Sequence, residues 1–104
     1  MHFLLAEKRE ALCELCRNYG VRRLDAFGSV ARGDDFDPNR SDADLLVEFG
    51  PDADNLVSFL NFKEALETLL GLPVDLVERQ AVVDSRNSIR RRRILSEAEL
   101  VYAA

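Results

Sequence analysis

The chain has 104 residues, 47% of them hydrophobic and 32% charged, which is the composition of one compact domain and not of a disordered segment. Its 14 Lys and Arg against 19 Asp and Glu leave a net charge of -5, so long-range attraction to phosphate backbones is poor and stable nucleic-acid binding is not expected. The longest apolar stretches, such as Phe3 to Ala6, run only a few residues and charges begin at Glu7, so neither a membrane span nor a secretory leader is expected, and a reducing cytoplasm is the simplest setting.

From Phe3 to Tyr19 the residues Leu4, Leu12, Leu15, Cys16 and Tyr19 fall three or four apart between charges, which predicts one amphipathic helix closed by Gly20. Arg22 to Phe27 reads as a strand with Leu24 and Ala26 on one side, running straight into Gly28-Ser29. The segment Gly33 to Arg40, GDDFDPNR, is rich in turn formers and predicts a surface loop. Asp42 to Phe49 is a β-prone run closed by Gly50-Pro51. Helical spacing of Leu56, Phe59, Leu60, Leu66, Leu69 and Leu70 predicts a helix over Asn55 to Leu70, stopped by Gly71 and Pro73. Val74 to Val77 is a third strand and Arg86 to Ser96 a further helix, while Glu99 to Tyr102 forms a short strand or a frayed end. The order predicts an α+β fold over residues 1–104, a small mixed β-sheet with helices packed on one face and the other face left for chemistry.

Histidine is scarce. His2, placed at a frayed start, is the only one, so neither a Ser-His-Asp nor a Cys-His constellation can form unless a terminal residue folds inward. Cys13 and Cys16 make a Cys-x-x-Cys without a second pair, short of the ligands zinc needs, and read as small apolar residues on a helix. Carboxylates are left as the reactive groups.

In a strand, residues two apart point to the same side, so Asp42 and Asp44 project together with Cα atoms roughly 6.5–7 Å apart, facing outward at the sheet edge. Ala43, Leu45 and Val47 take the buried side. If the third strand pairs beside this one, Asp75 joins the two aspartates. Three converging carboxylates suit Mg²⁺, which completes its octahedron with waters and substrate phosphate oxygens. Two such ions could hold the attacking and departing oxygens of a displacement at phosphorus, and Asp75 could accept the nucleophile's proton. The alternative is a set of solvated or capping acids, since with 19 acidic residues some fall two apart by chance.

Gly28-Ser29, where a strand meets a helical turn, offers backbone amides and a hydroxyl to phosphate oxygens, and Arg32 could add a charged fork. A helix cap by Ser29 with Gly33 as a turn residue fits the same residues.

The segment GSVARGDDFDPNRSDADLLVEFG, with Gly28-Ser29, Arg32-Gly33 and Ser41-Asp42-x-Asp44-Leu45-Leu46-Val47, followed by Asp75 in PVDLVE, resembles the nucleotidyltransferase core of the DNA polymerase β superfamily. Its brevity makes it most similar to the minimal nucleotidyltransferases (MNT) paired with HEPN-domain proteins. The resemblance implies that Gly28, Ser29, Arg32, Gly33 and Ser41 serve the nucleotide. It further implies that Asp42, Asp44 and Asp75 are the catalytic, metal-binding acids, with Mg²⁺ in two sites and ATP as substrate. It also implies an antitoxin that transfers AMP to a tyrosine of a HEPN ribonuclease toxin. The twelve residues Val30 to Ser41 form a slightly longer gap than is usual there, which bears on loop shape more than on activity.

Independently, little chain remains to build an acceptor pocket, so the acceptor surface is expected on a partner. A binding-only antitoxin that buries its toxin's active site is the alternative from another class, and transfer to a small molecule or RNA end is a third. Arg90 to Arg93 spread over about 300° of a helix and read first as a solvated face with intramolecular acidic partners, then as a partner-docking surface, and third, given the net charge, as a direct RNA contact.

Overall fold

The protein is described from a computed structural model covering residues 2–33 and 36–104. Among the described residues ten elements follow in order: helices α1 (Phe3–Glu7) and α2 (Arg9–Asn18), strand β1 (Val21–Phe27), α3 (Gly28–Arg32), β2 (Ala43–Phe49), α4 (Leu56–Leu70), β3 (Val74–Glu78), α5 (Arg79–Val83), α6 (Ser88–Glu97) and β4 (Glu99–Ala103). The strands form one mixed sheet in the order β3-β2-β1-β4, with β2 and β3 parallel and the other pairs antiparallel.

The main core lies where α1, α2 and α4 cover one sheet face. Alternation sends Leu24 and Ala26 of β1, Ala43, Leu45 and Val47 of β2, and Val74 and Leu76 of β3 into it. Phe62 of α4, fully buried, meets the rings of Tyr19 and Phe49 at 5.7 and 5.8 Å, and burying such a side chain contributes roughly 1.5–3 kcal/mol. Asn55 caps α4 by accepting the Ser58 amide at 2.9 Å, and Gly71, at φ +72°, ends it in the left-handed conformation its lack of a Cβ permits.

Four expectations are corrected. The N-terminal helix breaks at Lys8, although the apolar spacing runs on. His2 is not frayed: its amide donates to the Val30 carbonyl, its Nδ1 accepts the Leu4 amide, and its ring meets Phe36 at 4.8 Å. β2 is an interior strand, so its outward-facing side chains do not stand at a sheet edge. The second sheet face is not left wholly open either, because α5 and α6 seat Val82 and Ile94 there against Phe27 and Leu46. The C-terminal run, open between strand and frayed end, is strand β4.

On this second face Asp25 is only 1% exposed. Arg23 donates to it at 2.8 and 3.1 Å and Arg79 at 3.3 Å, so the buried charge is paired twice and ties the start of α5 to β1.

Candidate functional site

The strand registers assemble the acidic residues. Asp44 pairs with Phe27 on one side and with Asp75 on the other, which puts both carboxylates on the second sheet face. Asp42 precedes β2 and is exposed. A hydrogen-bonded turn delivers it, in which Asp37 Oδ1 accepts the Asn39 amide at 2.9 Å and the Asp37 carbonyl accepts the Ser41 amide at 2.7 Å. Asp34 and Asp35 of the expected loop lie outside the described residues.

Asp44 is half-buried, and its pKa is pushed up to about 6. Burial is the largest cause, the Asp75 and Asp42 charges add to it, and Arg32 opposes them. Asp44 therefore senses the charges of both Asp42 and Asp75. Among the described residues no trio of His, Cys, Asp or Glu forms a ready metal cage. Mg²⁺ does not require one, because it is usually held by one or two carboxylates with waters and phosphate oxygens. The hard oxygen donors fit it, and a cation would offset the burial and the repulsion that together hold Asp44 high.

Gly28, at φ +66°, explains how the acid and the Gly-Ser turn come together. A Cβ there would fall 2.5 Å from Asp44 Oδ2, so the carboxylate occupies the space that a side chain would fill. A cleft of about 300 Å³ opens beside them, lined by Phe27, Gly28, Ser29, Arg32, Asp44, Arg90, Arg93, Ile94 and Glu97. That volume is in the range of small-ligand sites.

Of the residues expected to serve a nucleotide, Gly28, Ser29 and Arg32 line this cleft. Ser29 does not cap α3, which starts at Gly28 after Phe27. Gly33 closes α3 at φ +85° by donating its amide to the Ser29 carbonyl, and the Ser41 hydroxyl accepts the Asp37 amide, so both shape the loop without lining the cleft. Sequence reasoning missed Arg90, Arg93 and Glu97. Their spacing of three and four places them along one side of a helix, and that was the available signal. Cys16, fully buried with its thiol pushed up to about 12 mainly by burial, is a core residue, as expected.

Residues 8–101 match the model of a family described as "Nucleotidyltransferase domain". The chain is 42% identical over 69 residues to the protein adenylyltransferase MntA of Thermococcus cleftensis, covering 66% of this chain and 67% of that protein. It superposes with a TM-score of 0.73 on a presumed minimal nucleotidyltransferase, at 38% identity and with 95% of each chain covered. The fold is also shared with a chain of a complex between a tri-AMPylated Shewanella oneidensis HEPN toxin and an MNT antitoxin. There the TM-score is 0.61 and the identity 17%, over 96% of this chain and 73% of that one.

Proposed function

The chain belongs to the nucleotidyltransferase domain family, and from that premise we propose that it is a Mg²⁺-dependent protein adenylyltransferase. In this reading it is the cytoplasmic antitoxin of a HEPN toxin and moves AMP from ATP to a tyrosine hydroxyl of its partner. The observation that carries the reading is that Asp44, the register partner of Asp75, meets Gly28 in one arginine-lined cleft. The relatives named as a protein adenylyltransferase and as an MNT antitoxin support the acceptor class. Residues 1–104 act as a single catalytic domain.

Asp42, Asp44 and Asp75 would hold the metal. Bound there, Mg²⁺ would neutralise charge on the α-phosphate and on the departing oxygen. Gly28 and Ser29 bind the triphosphate by backbone amides and hydroxyl, Arg32 adds a guanidinium, and Gly33 and Ser41 hold the loop that delivers Asp42. The acceptor's phenol oxygen forms a bond to the α-phosphorus while the α–β bridging P–O bond breaks, and pyrophosphate leaves with that electron pair. The phenol proton passes to Asp75, which stands exposed beside Asp44 on the neighbouring strand and is open to an incoming side chain. The protein's contribution is mostly positioning and charge neutralisation.

The experiment is transfer of label from α-³²P-ATP to the cognate HEPN protein with Mg²⁺ present. Wild type labels the partner, and the Asp42→Asn/Asp44→Asn variant does not while keeping its fold by circular dichroism. Normal labelling by the double variant overturns the assignment. Toxin inhibition that persists in that variant without ATP identifies a binding-only antitoxin instead.

A further inference from the structure

The four consecutive arginines of α6 divide by direction. Successive helical residues step by about 100°, so Arg90 and Arg93 lie only about 60° apart while Arg91 and Arg92 fall elsewhere around the axis. Arg91 turns back and donates to the Ser85 carbonyl at 2.6 Å. Arg90 and Arg93 line the cleft that holds Gly28, Ser29, Arg32 and Asp44. Ile94, 6% exposed, anchors the helix that carries them in the smaller core.

Glu97 lines the same cleft and takes two of these guanidiniums, Arg32 at 3.1 Å and Arg93 at 3.6 Å. The Arg93 side chain is nonetheless 72% exposed, and solvent-exposed ion pairs of this kind are weak. A chain with a net charge of -5 thus gathers three arginines at a cleft that Asp44 also lines.

We propose that Arg90 and Arg93, together with Arg32, clamp the β- and γ-phosphates of the nucleotide, with Glu97 holding Arg32 and Arg93 in position until phosphate oxygens replace its carboxylate. The proposal rests on the nucleotidyltransferase reading of Asp44 and Gly28. Guanidinium forks match phosphate oxygens in geometry and charge, whereas a single surface arginine would add only a diffuse attraction. The same forks stabilise the charge that grows on pyrophosphate as the α–β bond breaks, so they serve the reaction as well as binding. The clamp also gives a role to the helix folded over the second sheet face: without α6 the cleft would lose Arg90, Arg93, Ile94 and Glu97 from its lining.

Titration calorimetry of the full chain with Mg²⁺ and either ATP or AMP tests this. For the Arg90→Ala/Arg93→Ala variant the expected result is ATP binding weakened about tenfold or more with AMP binding changed less than twofold, since AMP lacks the clamped phosphates. Arg90→Lys/Arg93→Lys recovers part of the loss, and Glu97→Gln, which removes the carboxylate that competes with phosphate for Arg32 and Arg93, tightens ATP binding. Arg91→Ala, which removes only the bond to Ser85, leaves the ATP to AMP ratio unchanged. A double alanine variant that binds ATP like wild type, or that loses ATP and AMP equally, overturns the clamp while leaving the nucleotidyltransferase reading intact. Wild-type protein that binds no ATP with Mg²⁺ overturns both.

Discussion

Asp44 and Asp75 are register partners across the parallel β2–β3 ladder, so two carboxylates project from neighbouring strands to the same sheet face. Adjacent strands run about 4.8 Å apart, close enough for each charge to oppose the other. Burial of Asp44 beside Gly28 sharpens the repulsion, since less water screens it. Such a pair lowers the stability of the free protein and suits a site completed by a cation with its nucleotide.

The first prediction concerns pH. The Asp44 carboxyl has a pKa of about 6 when folded against 3.8 for a free one, so the folded chain holds that proton more tightly than the unfolded chain. Stability therefore falls as pH rises from about 4 to about 6, and the full cost stands above 6. Allowing for solvent screening of a half-exposed group, the cost is about 1 kcal/mol. Metal-free Asp44→Asn should melt roughly 4–8 °C above wild type at pH 7, with the gap closing by pH 4, as followed by circular dichroism. Equal melting of the two at pH 7 contradicts a destabilising charge at Asp44.

Two glycines with similar backbones should answer differently to alanine. At Gly28 the added Cβ meets Asp44 Oδ2 at 2.5 Å on a backbone with φ +66°, so the carboxylate must move. At Gly71, φ +72°, nothing lies within 4 Å of the added atom. Gly71→Ala should cost about 1 kcal/mol in urea unfolding and leave AMP transfer intact, whereas Gly28→Ala should cost more and abolish transfer. Retained transfer in Gly28→Ala would show that the approach of Asp44 to the turn does not matter.

The Asp25 network predicts an asymmetry. Replacing Asp25 by Ala strands two guanidiniums that partly reach water, at a cost of about 2–4 kcal/mol. Arg79→Ala leaves Asp25 with both bonds from Arg23 and should cost about 1 kcal/mol. Urea midpoints of the two variants compare them directly, and an Arg79→Ala loss as large as that of Asp25→Ala would place the main support of the charge on α5.

Much of this arrangement was legible in the sequence because it depends on parity. The alternation of Ala43, Leu45 and Val47 against Asp44 named the buried and outward sides of β2, and Asn55 and Gly71 marked the two ends of α4. Periodicity does not register a single broken turn, so the interruption at Lys8 was invisible, and α5, five residues long, is too short to show a period. Leu46 held the missed clue to the second face: an apolar residue on the aspartate side needs cover, and Ile94 of α6 supplies it. Once that helix docks, Arg90 and Arg93 reach the cleft: their spacing puts them on one side of the helix, but which side meets the cleft is set by tertiary packing.

The most direct measurement is a crystal structure grown with Mn²⁺ and a non-hydrolysable ATP analogue, with the manganese located by anomalous scattering. The account predicts a peak bound to oxygens of Asp42 and Asp44, at metal–ligand distances of about 2.0–2.2 Å, with the analogue's phosphates against Gly28 and Ser29. A nucleotide bound elsewhere on the surface, or phosphates at Gly28 with the manganese remote from both aspartates, contradicts it.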